Sequence, residues 1–169
     1  LVKEYMPQVF VFVGGHHASL RPGDFAVSYI DAVVLGEGEV IAPELIRGLE
    51  RKGDLRTIPG LALYDHHQQK QYLTPIRPLQ KQLNSSSTAD RSLTSKYRRR
   101  YFHGFKRPMA TVETSRGCPY RCTFCSVWNF YRNTVRYKSP ELAAEEIKNI
   151  KEKDLMIVDD NFFSKPERA

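Results

Sequence analysis

The chain has 169 residues, of which 41% are hydrophobic and 27% are charged, and its formal net charge is +7. No stretch approaches the ~20 apolar residues that a membrane-spanning helix needs, and the start shows no signal-peptide pattern. We therefore expect a cytoplasmic protein without a transmembrane segment. Because the chain starts at Leu1 without an initiator Met and ends at Ala169 just after a predicted helix start, we also expect a fragment.

The first part of the chain alternates strands and helices in the way that is typical of an open parallel sheet. Its apolar runs predict buried strands, and each of the first two strands ends in a glycine-containing turn. The predicted elements are a strand at 8–13, a helix-length segment at 24–29, a strand at 32–35, a helix at 40–49 and a hairpin formed by 58–64 and 71–73.

A polar, serine-rich stretch separates this region from a second α/β region. We predict a first domain at 1–83, a linker at 84–107 and a second domain at 108–169. Ser139 as cap and Pro140 at the first helical position predict a helix start. The second domain then contains a strand at 109–113, a helix from 140 to about 151 and a strand at 155–158, which together make one βαβ unit.

Much of the positive charge lies in one segment, Lys96 to Arg107, with the sequence KYRRRYFHGFKR. A solvated basic connector is one interpretation. The alternation of basic and aromatic residues also fits a patch for phosphate or nucleic acid. We keep both interpretations open at this point.

All three cysteines lie within eight residues, at Cys118, Cys122 and Cys125. An odd, clustered set does not resemble a disulfide framework. Thiolates are soft ligands suited to iron–sulfur clusters and to zinc, but structural zinc takes four ligands and the nearest histidine, His103, lies well upstream. A four-iron cluster on three cysteines would leave one iron without a protein ligand.

The segment SRGCPYRCTFC resembles the signature of the radical S-adenosylmethionine (radical SAM) superfamily, C-x3-C-x2-C with an aromatic residue before the last cysteine. Phe124 holds the aromatic position. The resemblance implies a 4Fe-4S cluster on Cys118, Cys122 and Cys125. It also implies that S-adenosylmethionine binds the open iron and is cleaved to methionine and a 5′-deoxyadenosyl radical.

The predicted strand at 155–158 ends in Asp159-Asp160-Asn161-Phe162. Family members usually carry a Gly-Gly-Glu-like segment there, and the segment here resembles the DDNF variant of cobalamin-associated members. By this resemblance Asp160 and Asn161, with Phe124, contact S-adenosylmethionine. A strand end that merely caps a turn is the alternative.

The two glycine turns resemble the last part of the cobalamin-binding domain that precedes many radical SAM barrels. By that resemblance Gly14 and Gly15 lie against the nucleotide tail of cobalamin, and a neighbouring loop contains Gly36, Glu37 and Gly38. Glycine allows close backbone approach, and ligands of open α/β sheets bind at the carboxyl ends of strands. The Asp-x-His-x-x-Gly segment of some cobalamin domains is absent.

The combined resemblance, which extends to hopanoid C-3 methylase-like proteins, implies a fold class. It is the C-terminal part of a Rossmann-like cobalamin-binding domain followed by the first βαβ unit of a radical SAM partial (β/α) barrel. The implied enzyme is a cobalamin-dependent radical methyltransferase acting on an unactivated carbon of a small molecule or lipid. Flavodoxin or ferredoxin is the expected electron donor, and we do not expect nucleic acid as a partner.

Two alternatives stay open: a radical SAM enzyme that modifies RNA, and a non-catalytic zinc- or cluster-binding module. A complete barrel takes about 200 residues or more, many more than the second domain at 108–169 contains. We therefore expect the chain alone to be inactive.

Overall fold

The computed structural model describes residues 2–83 and 89–168. The chain forms two compact units, Leu1–Leu79 and Gln80–Ala169. The predicted domain bounds at 83 and 107 stay a prediction. The serine-rich stretch on which they rest spans 84–96, and its first part, 84–88, lies outside the described residues. In the described part of the chain no helix is long and apolar enough to cross a membrane.

The first unit is a four-stranded sheet with helices. Its elements in chain order are α1 (Val2–Tyr5), β1 (Phe12–Val13), α2 (His16–Leu20), β2 (Ala32–Val34), α3 (Gly38–Glu50), β3 (Leu61–Asp65) and β4 (Lys70–Leu73). The helix expected at 24–29 is wrong, because α2 ends before it and only a 3₁₀ turn, Pro22–Phe25, reaches into it.

The sheet has the strand order β1-β2-β3-β4 and is mixed. β1 pairs with β2 in parallel, as predicted for an open parallel sheet. The hairpin joins the same sheet, because β3 pairs antiparallel with β2. Leu35 donates its amide to the Gly60 carbonyl at 2.8 Å, which extends this pairing into the turn before β3.

Strand β2 is buried on both faces of the sheet, which explains its run of apolar residues. On one face Val34 packs with Ile41 and Leu45 of α3. On the other face Val33 packs with Ala18 of α2 and with Ile30. Since consecutive side chains of a strand point to opposite faces, this double burial fixes the register of the strand.

The second unit contains the predicted βαβ arrangement. Its elements are β5 (Met109–Val112), β6 (Ser115–Arg116), α4 (Val127–Phe130), β7 (Arg136–Tyr137), α5 (Pro140–Lys148) and β8 (Asp154–Ile157). β5 and β8 pair in parallel, and β6 and β7 pair antiparallel. The predicted start of α5 is confirmed, because the Ser139 hydroxyl accepts the amide of Leu142 at 3.3 Å.

A buried carboxylate stabilises the first unit at the start of its parallel strands. Asp31 accepts hydrogen bonds from the Val11 amide at 2.7 Å and from His66 at 2.9 Å, and it pairs with Lys3 at 2.7 Å. Burial raises the pKa of Asp31, but these hydrogen bonds and the Lys3 charge outweigh burial and hold the pKa below its ordinary value.

Asp31 therefore gives a pH-dependent stability to this unit. Because its pKa is lower when folded, its contribution is present above the unfolded pKa of about 3.9 and is lost as pH falls through the folded pKa. At pH 6 we expect Asp31→Asn to lower hydrogen-exchange protection of the Val11 and Val33 amides about tenfold, about 1–2 kcal/mol. At pH 3 the difference should shrink.

The exposed carboxylate Glu50 provides the control. Glu50→Gln should leave protection unchanged at both pH values. Equal loss of protection in the Asp31 variant at pH 6 and pH 3 would contradict the assigned role of the charge.

Candidate functional site

The three cysteines lie on the loop between β6 and α4, beyond the carboxyl end of β5. All three are free thiols, with Cys122 exposed and the other two half-buried. The amide of Cys125 and the indole Nε1 of Trp128 both donate to the Cys122 carbonyl at 3.1 Å. These two bonds hold the backbone of the loop while its thiols stay available for ligands.

Gly117 is the last residue before Cys118 and takes a backbone conformation that favours glycine, with φ of +94°. A Cβ atom at this position would lie 2.1 Å from the carbonyl oxygen of Thr134. The glycine in the Arg-Gly-Cys sequence is therefore required by a close approach of two backbone segments.

Asp159 ties the carboxyl end of β8 to the segment that enters the loop. Its carboxylate accepts the Thr114 amide and hydroxyl, each at 2.6 Å, and the Ser115 hydroxyl at 2.7 Å. Thr114 and Ser115 are 4% and 1% exposed, so these polar groups depend on a protein acceptor. The role of Asp159 was not predicted from the sequence, although its position directly after the predicted strand at 155–158 was an available signal.

The next two side chains contact the loop itself. Asp160 Oδ2 accepts the Gly117 amide at 2.8 Å, and Asn161 Nδ2 lies 3.7 Å from Cys118 Sγ. The structure thus brings the predicted residues Asp160 and Asn161 to the cysteine loop. We call Asp159, Asp160 and Asn161 the strand-end clamp.

Phe124, the aromatic residue of the cysteine motif, is 91% exposed and is not packed into the protein. It lies one residue before Cys125 on the outer surface of the loop. Its predicted contact with S-adenosylmethionine stays a prediction.

The chemistry of this donor set fits an iron–sulfur cluster. Three soft thiols lie on one loop, and each thiolate of such a cluster binds a separate iron. Within 2–83 and 89–168, no three His, Cys, Asp or Glu side chains are close enough together to hold one metal ion.

The predicted cobalamin residues lie together at one edge of the first unit. Gly14 and Gly15 follow β1, and Gly36, Glu37 and Gly38 follow β2, so the parallel pairing places both loops side by side. Cβ atoms built on Gly15, Gly36 and Gly38 would meet no atom within 4 Å. The two turns thus leave open space beside the backbone of these three glycines, whereas a Cβ on Gly14 would lie 3.5 Å from the Val34 Cβ.

The basic segment 96–107 is partly neutralised within its own unit. Arg98 forms an ion pair with Glu152, and Lys106 pairs with Asp154 at 2.7 Å. Burial raises the pKa of Glu152, but the hydrogen bond and charge of Arg98 outweigh it and lower that pKa. A cavity of about 780 Å³ near this segment is lined by the 3₁₀ helix Arg91–Arg100, β5 and the end of α5, and no cysteine lines it.

Residues 112–168 match the family model of the radical SAM superfamily. The chain is 39% identical over 164 residues to the hopanoid C-3 methylase of Methylococcus capsulatus, covering 95% of the chain and 30% of the relative. It is 32% identical over 175 residues to the cobalamin-dependent radical SAM methyltransferase TokK of Streptomyces tokunonensis, covering 96% of the chain and 24% of that protein.

Two solved structures share the fold. The radical S-adenosylmethionine methyltransferase TsrM of Kitasatospora setae, solved with cobalamin and a [4Fe-4S] cluster, matches with a TM-score of 0.69 and 21% identity over 95% of this chain and 32% of that one. The cobalamin-dependent radical enzyme OxsB matches with a TM-score of 0.65 and 22% identity over 90% of this chain and 21% of that one.

Fold and site define an α/β protein with a three-cysteine cofactor loop at the carboxyl end of a parallel strand pair. The part of the chain that contains the cysteine motif, residues 112–168, matches the radical SAM superfamily, which confirms the prediction from that motif. It spans about 30% of the length of its hopanoid methylase relative.

The close approach at Gly117 yields a test of the loop geometry. Gly117→Ala should displace the backbone before Cys118, and we expect at least a tenfold loss of iron retained after anaerobic reconstitution. Gly104→Ala is the matched control, because Gly104 also has a positive φ, of +56°, but its Cβ would meet nothing within 4 Å. Equal iron in wild type and Gly117→Ala would contradict the assigned constraint.

Proposed function

We propose that this chain is the cofactor-binding part of a radical SAM methyltransferase. The observation that carries the proposal is the loop with three free thiols, held by the strand-end clamp at the carboxyl end of β5 and β8. The sequence likeness to the hopanoid methylase and to TokK supports methyl transfer as the reaction. In finer detail, we propose that the first unit is the C-terminal part of a Rossmann-like cobalamin domain. The second would begin a partial (β/α) barrel.

Cys118, Cys122 and Cys125 would hold a 4Fe-4S cluster through three of its irons. When bound, the cluster supplies one electron that cleaves S-adenosylmethionine and so generates a 5′-deoxyadenosyl radical. Because only three cysteines are available, the fourth iron would have no protein ligand, and S-adenosylmethionine would bind there. Asp160 and Asn161 contact the amide of Gly117 and the sulfur of Cys118 at the start of this loop.

Asp160 and Asn161 also retain oxygen atoms that suit the ammonium group of S-adenosylmethionine. The Gly117 amide is bonded to Oδ2 of Asp160. Oδ1 of Asp160 and the amide oxygen of Asn161 remain as acceptors. Phe124, exposed beside Cys125, would cover an apolar part of the same cofactor.

Cobalamin would bind against Gly14, Gly15, Gly36, Glu37 and Gly38. This assignment is supported by the open space at the two turns and by the cobalamin present in the TsrM and OxsB structures. Its chemistry there is to carry the methyl group. The protein would position the two cofactors and exclude water from the radical.

The substrate class that we propose is a small molecule or lipid with an unactivated carbon. The hopanoid named for the M. capsulatus relative belongs to this class. A flavodoxin or ferredoxin would deliver the electron.

The cysteine loop gives a direct test in the whole protein. After anaerobic reconstitution we expect about four irons and four sulfides per chain and formation of 5′-deoxyadenosine. Cys122→Ala should abolish 5′-deoxyadenosine, and because Cys122 is exposed the fold should survive. Thr123→Ala, which changes the exposed neighbour on the same loop, should behave as wild type.

The two forms of the non-catalytic alternative, a zinc-binding and a cluster-binding module, predict different results. A protein that binds one zinc and forms no 5′-deoxyadenosine would overturn the radical assignment. A protein that forms the cluster but no 5′-deoxyadenosine would also overturn the proposal and would favour a non-catalytic cluster-binding module.

A further inference from the structure

Asn161 is placed unusually for an asparagine at the start of a 3₁₀ turn. It precedes Phe162–Ser164 in the position where asparagine side chains often cap the turn, yet it makes no capping hydrogen bond. Its side-chain nitrogen instead lies 3.7 Å from Cys118 Sγ, within the longer range that sulfur acceptors allow. The side chain therefore contacts the cysteine loop and does not cap its own turn.

The neighbouring clamp residues fix this placement. Asp159 binds Thr114 and Ser115 at 2.6–2.7 Å, and Asp160 binds Gly117 at 2.8 Å. These bonds lock β8 to the segment that enters the loop on the amino-terminal side of Cys118. As a result the backbone that carries Asn161 is held in place, and this positions the Asn161 side-chain amide next to the sulfur.

The chemistry of the two groups determines the direction of the hydrogen bond. A cysteine that binds iron is a thiolate, which has no proton to give, and the side-chain amide offers two N–H donors. Hydrogen bonds to cluster sulfurs stabilise negative charge, and the cluster gains negative charge when it is reduced. A donor at Cys118 therefore favours the reduced state.

We infer that Asn161 is a positioning residue that donates a hydrogen bond to the Cys118 thiolate and raises the reduction potential of the cluster. This inference rests on the proposed function, because it requires the cluster on the three cysteines. It gives Asn161 a second role beside its proposed contact with S-adenosylmethionine.

The test is the midpoint potential of the cluster in the whole protein, followed by electron paramagnetic resonance during titration with dithionite, without S-adenosylmethionine. Asn161→Leu and Asn161→Asp remove the donor, so at a fixed potential the ratio of reduced to oxidised cluster should fall about tenfold, or about 59 mV for one electron. Asn161→Gln keeps the amide and should recover part of the shift.

Asn129→Asp is the matched control for a new charge close to the loop, since Asn129 is exposed on α4. It should move the potential much less than Asn161→Asp does. The inference would be overturned if the Asn161 variants bind the full amount of iron and have the same midpoint potential as the Asn129→Asp control. Variants that simply lose the cluster would also overturn it, because a purely structural role would then suffice.

The two levels of the proposal fail differently. A wild-type protein that holds no iron overturns the proposed function and this inference together. A wild-type cluster that cleaves S-adenosylmethionine, with no shift in the Asn161 variants, overturns only the inference.

Discussion

The carboxylate of Asp159 joins the ends of two parallel strands, and the cysteine loop depends on that junction. It accepts three hydrogen bonds from Thr114 and Ser115, two residues with almost no contact with water. A buried polar group that loses its partner costs about 1–3 kcal/mol, so this carboxylate has few acceptable substitutes. Because the loop begins two residues after Ser115, the position of Cys118 follows from this contact and from the required glycine at 117.

A parallel strand pair also positions the proposed cobalamin residues in the two glycine turns of the first unit. Parallel pairing of β1 and β2 sets the two glycine turns side by side, and burial of β2 on both faces fixes the register that holds them there. Ligands of α/β sheets bind at the carboxyl ends of strands, and each unit presents its candidate residues at such an edge. Within each unit the site is a consequence of the parallel strand pair.

Local patterns predicted the parts of the fold that local physics decides. The Ser139-Pro140 signal fixes the start of α5, and the apolar runs identify β2, β5 and β8. The cysteine spacing identified the family because ligand geometry constrains neighbouring residues. The antiparallel pairing of β3 with β2 escaped prediction, because nothing in the local sequence shows it.

The role of Asp159 was hidden for the same reason, since its partners lie more than 40 positions upstream. The helix expected at 24–29 did not form because the chain there makes the 3₁₀ turn Pro22–Phe25 and packs Phe25 and Val27 against the core without a helix. The residue roles carried by the family resemblance, for Phe124 and the glycine turns, are proposals that only cofactor binding can decide.

Mössbauer spectroscopy of the ⁵⁷Fe-reconstituted protein, with and without S-adenosylmethionine, shows whether the three cysteines hold a cluster with one open iron. We expect a four-iron cluster in which about one quarter of the iron has no cysteine ligand. That quarter alone should change its signal when S-adenosylmethionine is added. Four irons that respond alike, or a protein that takes up zinc in place of iron, would contradict the account.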